Sequence, residues 1–362
     1  MGPVRPLHLR GIVLPDGEER DLWVDEAGLV RDEPVAGAET LADRGWVLPG
    51  LVDAHCHVGL DEHGGVDEAT TEAQALADRD AGALLLRDAG VPVDTHWMDA
   101  RDDLPRVVRA GRHIARTRRY IRDYAWEVEP DDLTTYVEQE ARRGDGWVKL
   151  VGDWIERDRG DLAPSFPADA FTAAIETAHA LGAKVTAHCF GEQSVAELVA
   201  AGIDCIEHGT GLTDDVVAEM ARRGTALVPT RVQIDNFPAY AEQGGAKFPA
   251  YGAHMRDLHA RCDATLRSAH EAGVPIYTGT DAGGVLPHGL VGREVLALHE
   301  RVGLSTVDAL ASASWAARDW LGRPGLGAGD PADLVVYDAD PRADLRALAH
   351  PRAVVLRGRV VT

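Results

Sequence analysis

Cysteine is scarce in this sequence. Its 362 residues include four, Cys56, Cys189, Cys205 and Cys262. Four scattered thiols in so long a chain exclude a disulfide framework. Long apolar runs are missing as well: no stretch approaches the ~20 apolar residues that span a bilayer. The opening, MGPVRPLHLRGIVLP, lacks the extended apolar core of a secretory signal. Together these absences make a reducing cytosol the expected compartment. Basic residues are in deficit, 37 Lys and Arg against 59 Asp and Glu, for a formal net charge of −22. That field repels nucleic acid and anionic membranes, so the expected partner is a small-molecule substrate and neither of those. No internal repeat or low-complexity tract stands out. Composition leaves the oligomeric state open, a homo-oligomer included.

What is present is an alternation. Eight apolar strand-like runs, WVLPGLVDAHC, ALLLRDAG, RVVRAG, WVKLVG, KVTAHCF, CIEHG, ALVPT and PIYTGTD, are separated by segments with helical apolar spacing. PADAFTAAIETAHALG, SVAELVAAG and DDVVAEMARRG are examples, and several end in glycine. Alternating β and α units imply a parallel sheet, and eight of them favour closure into a (β/α)8 TIM barrel. The first ~45 residues and the last ~35 read instead as short strands and turns, with Pro15-Asp16-Gly17 as one turn signal. Neither end can bury a core alone. The expected organisation is therefore a small β-sandwich domain from residues 1–48 and 327–362, beside a barrel over residues 49–326.

The histidines inform by their placement. Catalytic groups of a parallel barrel sit at the C-terminal ends of the strands. His55 and His57 end the first run two residues apart, so both imidazoles face one side and Cys56 the other. Lys149 lies near the end of the fourth run, His188 the fifth, His208 the sixth, and Asp281 closes the eighth. Six donors converge on one rim, a metal site by arrangement. Imidazole and carboxylate suit zinc, and also iron, manganese or nickel. A protonated Lys149 would be repelled by dications there, so either its position is misread or its nitrogen has become anionic.

LPGLVDAHCHVGL, the lysine of WVKLVGDW, VTAHCFG, CIEHGTGL, TGTDAGG and SASWAARDWLG resemble the amidohydrolase superfamily, over nearly the whole chain. Within it the resemblance is to the binuclear prolidase and carboxypeptidase-like, imidazolonepropionase-related group, which cleaves dipeptides and N-acyl amino acids. The resemblance implies two divalent metals, zinc by preference. His55, His57 and Asp281 would hold the more buried one and His188 and His208 the other. Lys149, carboxylated by CO2, would bridge them. It also implies amide hydrolysis by a hydroxide bridging the metals, with Asp281 as ligand and general base.

RVVRAGRHIARTRRY is similar to the region where relatives carry Thr-Gly-Gly-His, the histidine contacting substrate. Here Thr117-Arg118-Arg119-Tyr120 stands in its place. Tyr120 would then donate to the substrate carbonyl or its oxyanion. Arg231 is a candidate carboxylate clamp, with a solvated arginine as its plain alternative. His113, Trp154 and His288 are candidate pocket residues. Arg87 and Asp88 read as a structural ion pair, and Cys56, Cys189 and Cys205 as small apolar packing residues. Three rivals stand beside the amide reading. A mononuclear deaminase would use Glu192, four residues after His188. A lactonase or esterase would share all six ligands, and an inactive scaffold would have kept the donors without the chemistry.

Overall fold

Along Leu7–Val13 residues Leu7, Leu9, Gly11 and Val13 are buried while their neighbours are not, the period of a strand with one covered face. In the computed structural model, which describes residues 4–362, this strand pairs antiparallel with Glu18–Val24. Residues 1–3 of the expected amino-terminal segment lie outside the described residues. Trp46–Pro49 runs parallel to the first strand and antiparallel to Leu334–Tyr337, which pairs in turn with Ala353–Leu356. Both ends of the chain thus share one eight-stranded sheet. Leu9, Leu22, Val47, Leu334 and Val355 form its buried face.

Apart from the first residues Arg106 and Lys184 of two of them, the central strands are buried, as expected of parallel strands covered on both sides. Leu51–Cys56 pairs parallel with Ala83–Asp88, which pairs with Arg106–Arg109. A second parallel group runs from Trp147–Val151 through Lys184–Cys189 and Cys205–His208 to Ala226–Val228. The helices Glu68–Asp80, Leu133–Arg143, Ala168–Ala180, Glu192–Ala200, Asp214–Arg223 and Pro249–Glu271 alternate with these strands, giving a mixed α/β fold. No helix among the described residues is long and apolar enough to cross a membrane.

Two expected runs differ. WVLPGLVDAHC is two strands, because the chain breaks at Gly50, where a Cβ would strike Leu84. Trp46–Pro49 joins the terminal sheet and Leu51–Cys56 enters the parallel one. PIYTGTD forms no continuous strand. Isolated parallel bridges take its place, Ile276 with Leu227 on one side and, one residue past the run, Ala282 with Cys56 on the other. Glycine is the reason it lies so close to the first strand: a Cβ on Gly279 would come within 2.6 Å of the His55 Cβ.

Candidate metal centre and its pocket

Backbone bonds clamp the exits of the first and last runs together. Asp281 N–H donates to the His55 carbonyl at 2.7 Å and His57 N–H to the Ala282 carbonyl at 2.8 Å. The side chains meet above them. Nε2 of His55 and Nε2 of His57 are 3.2 Å apart, and each lies 3.1 Å from the Asp281 carboxylate. His57 Nδ1 is 2.8 Å from the Gly90 carbonyl, an acceptor only, so in the neutral ring the proton sits on Nδ1 and Nε2 offers a lone pair. His55 Nδ1 lies 3.6 Å from the Glu207 carboxylate, beyond hydrogen-bond length, and the attraction of that anion favours a proton on the same nitrogen. Three lone-pair atoms therefore face one another with no proton between them. A cation fits that arrangement, and these three residues can share one.

A second set adjoins it. His188 Nδ1 and His208 Nε2 are 3.1 Å apart, and His208 Nδ1 shares a hydrogen bond of 2.6 Å with the Thr230 hydroxyl. Nε2 of His188 is buried without a hydrogen-bond partner. Burial drives His208 down to about 3 and holds His188 well below 6.5, so both rings are neutral and able to bind metal near pH 7. Lys149, one of three lysines in the chain, is buried against Glu207.

Glu207 was not singled out by the sequence, yet its carboxylate stands at the centre of the buried polar groups. It accepts from Lys149, from Thr186 Oγ1 at 2.8 Å, and from Arg87 at 3.4 Å. Burial opposes its charge, but His55, Lys149 and Arg87 hold its carboxyl well below the usual range. With His55 and His208 it forms an alternative three-donor group.

Over the histidines lies a cavity of about 290 Å³. Tyr120, Tyr124, Trp154, Phe190, Tyr240 and Tyr251 supply its aromatic walls, and Asp281, Lys149, His55, His57, His188 and His208 its floor. Tyr120 packs edge-on to Trp154 at 4.9 Å and to His188 at 5.7 Å between ring centres.

Sequence comparison matches the amidohydrolase family over residues 160–361. The chain belongs to that family. An uncharacterized protein of Mycobacterium tuberculosis (strain ATCC 25618 / H37Rv) is 56% identical, covering 98% of this chain and 95% of its own. Ochratoxinase of Aspergillus niger is 24% identical, over 85% of this chain and 73% of its own. The crystal structure of a Xaa-Pro dipeptidase with methionine in its active site superposes with a TM-score of 0.81 at 22% identity, covering 98% of each chain.

In this amidohydrolase several expected contacts fall elsewhere. Arg231 is buried and takes no part in the pocket, because Asp263 and Asp235 claim its guanidinium. His113 is wholly buried behind Tyr120, its ring stacked on His57 at 5.0 Å, so it too is absent from the cavity wall. His288 bonds to Asp78. Arg87 and Asp88 do not pair with each other: Arg87 reaches the Ala54 carbonyl and Glu207 and lies over Trp147 at 4.7 Å, while Asp88 accepts from Gly90 N–H. Glu192 is held by His254 and Arg261. All four cysteines are buried and unpaired.

Proposed function

We propose that this amidohydrolase is a cytosolic, metal-dependent enzyme that hydrolyses the C–N amide bond of a small substrate of the dipeptide or N-acyl amino acid kind. The observation that carries the reading is the convergence of His55, His57 and Asp281 with the adjoining His188 and His208 beneath one aromatic cavity. We read the alternating strands and helices as a (β/α)8 barrel over residues 49–326, with residues 1–48 and 327–362 as a small β-sandwich domain. His55, His57 and Asp281 would hold one divalent metal, zinc by preference, and His188 and His208 a second. Bound metals would supply Lewis acidity toward the carbonyl and lower the pKa of water. Lys149 would bridge them after its neutral amine adds to CO2, forming an N–C bond and releasing one proton. Glu207 would then be balanced by Arg87 and Thr186.

The chain's own groups account for the rest. Asp281 accepts the proton of the attacking water and returns it to the leaving amine. The Tyr120 hydroxyl, which lines the cavity and makes no hydrogen bond among the described residues, donates to the carbonyl oxygen as negative charge develops on it. The aromatic walls exclude water. Glu192, engaged by His254 and Arg261, is not free to serve a deaminase.

The test is a screen of dipeptides and N-acyl amino acids with zinc-loaded protein and bicarbonate. Asp281→Asn is expected to reduce kcat by about 10²–10⁴-fold, and Lys149→Ala to lower the bound zinc as well as the rate. Full turnover by Lys149→Ala would remove the bridge, and no hydrolysis of any C–N bond would remove the reading.

A further inference from the structure

Resting on the amide-hydrolase reading above, we propose that the cavity takes not the free N-acyl amino acids but their blocked counterparts: amides bearing an aromatic or branched apolar group whose neighbouring carboxyl is capped, as in a carboxamide. Burying a carboxylate without a paired cation is costly, whereas burying an aromatic ring is favourable. The walls offer the second and not the first. Trp154, Ile155 and Phe190 form an apolar side, and the polar atoms above the floor belong to neutral groups. Tyr240 already accepts from Gln233 at 2.9 Å, leaving its hydroxyl proton for a ligand, and Tyr120 is likewise free to donate.

The arginines flanking the cavity are committed elsewhere. Arg119 donates to the carbonyls of Pro164, Ala163 and Trp154 at 2.8–3.0 Å. Arg231 is tied to Asp263 and Asp235. Next to the mouth, a shallow recess that shares Gly284 and Val285 with the cavity carries Asp61 and Glu62. With a net charge of −22 behind them, they repel an arriving anion.

Calorimetric titration of the zinc-loaded protein with N-acetyl-L-phenylalaninamide, N-acetyl-L-phenylalanine and N-acetylglycinamide tests this. The phenylalaninamide is expected to bind about tenfold more tightly than the free acid, the differential of one unpaired buried polar group. Trp154→Ala should weaken the phenylalaninamide by about tenfold through lost ring contact and leave the glycinamide unchanged. Ile155→Arg should tighten the free acid by a similar factor, about tenfold, by supplying a charge-assisted partner, a gain that a misfolded variant could not give. Equal or tighter binding of the free acid to the unaltered protein would overturn the proposal, as would indifference of the phenylalaninamide to Trp154→Ala. Acetate and ammonia release are followed in the same samples. The expected binding order with neither product, from any of the three compounds, counts against the hydrolase reading alone. Acetate released with the order reversed refutes the substrate class alone.

Discussion

His208, Thr230 and Asp281 have φ of 65°, 48° and 58°, a left-handed backbone that residues other than glycine rarely adopt. His208 ends a strand, Thr230 lies two residues past one and Asp281 closes the bridged run PIYTGTD, and each helps to build the candidate centre. The turn explains why Glu207 escaped the sequence reading. Strand alternation says that neighbours 207 and 208 face opposite ways. Glu207 obeys the strand and points inward to Lys149 and Thr186, and the reversed φ then swings His208 toward His188. The pair at 55 and 57 was legible because two-residue spacing survives there; adjacent residues sharing one centre were not. Arg231 was misread for a related reason, since its carboxylate partners, Asp263 and Asp235, lie 32 and four residues away and leave no local signature. Glu207 also yields a stability prediction. In the metal-free protein, replacing it by alanine leaves Arg87 and Lys149 buried without a counter-charge, which should cost about 3–5 kcal/mol. Urea unfolding would measure it, and a loss below about 1 kcal/mol would mean that the carboxylate is not needed to balance them.

At the next scale, one histidine ties three elements near the mouth. His254, on the helix Pro249–Glu271, bonds Asp161 of the strand Asp161–Pro164 at 2.9 Å and Glu192, the first residue of the helix Glu192–Ala200, at 3.0 Å. The hydrogen bond to Glu192, against the opposing effect of partial burial, raises His254 from 6.5 to about 9. The same bond pulls Glu192 from 4.5 down to about 2. A raised histidine stabilises fully below its unfolded value and loses that contribution as pH climbs through the folded one; a lowered carboxylate does the reverse on the acid side. The network should therefore be strongest between about pH 4.5 and 6.5 and fade by pH 9. Thermal melts of His254→Gln should fall furthest below the parent in that window and converge with it above pH 9. A gap independent of pH would assign His254 a packing role only. The helices and most parallel strands were legible from apolar spacing. The division at Gly50 was not, because an unbroken apolar run looks the same whether it feeds one sheet or two.

For the molecule as a whole, the charge of −22 is the largest feature visible without a structure. Like charges oppose compactness. Raising salt from about 0.01 M to about 0.1 M shortens the screening length from about 30 Å to about 10 Å. Relief of this repulsion should raise the melting temperature by about 2–4 °C for each kcal/mol gained. A scanning-calorimetry series in sodium chloride checks it, and a falling melting temperature would mean that attractive surface pairs such as Arg101 with Glu72 and Asp103 outweigh the net field.

The sheet shared by both ends of the chain carries an implication for biosynthesis. Trp46–Pro49 is flanked by Leu334–Tyr337, and Gly50 N–H reaches back to the Asp333 carbonyl at 2.9 Å, just before the segment that bears His55 and His57. On the ribosome those two imidazoles emerge early, but the edge that steadies their segment is translated some 280 residues later. A nascent chain has to hold its earliest ligands unfinished until that edge arrives, so stalled or clipped products should lack a finished cation cradle even with every ligand already made.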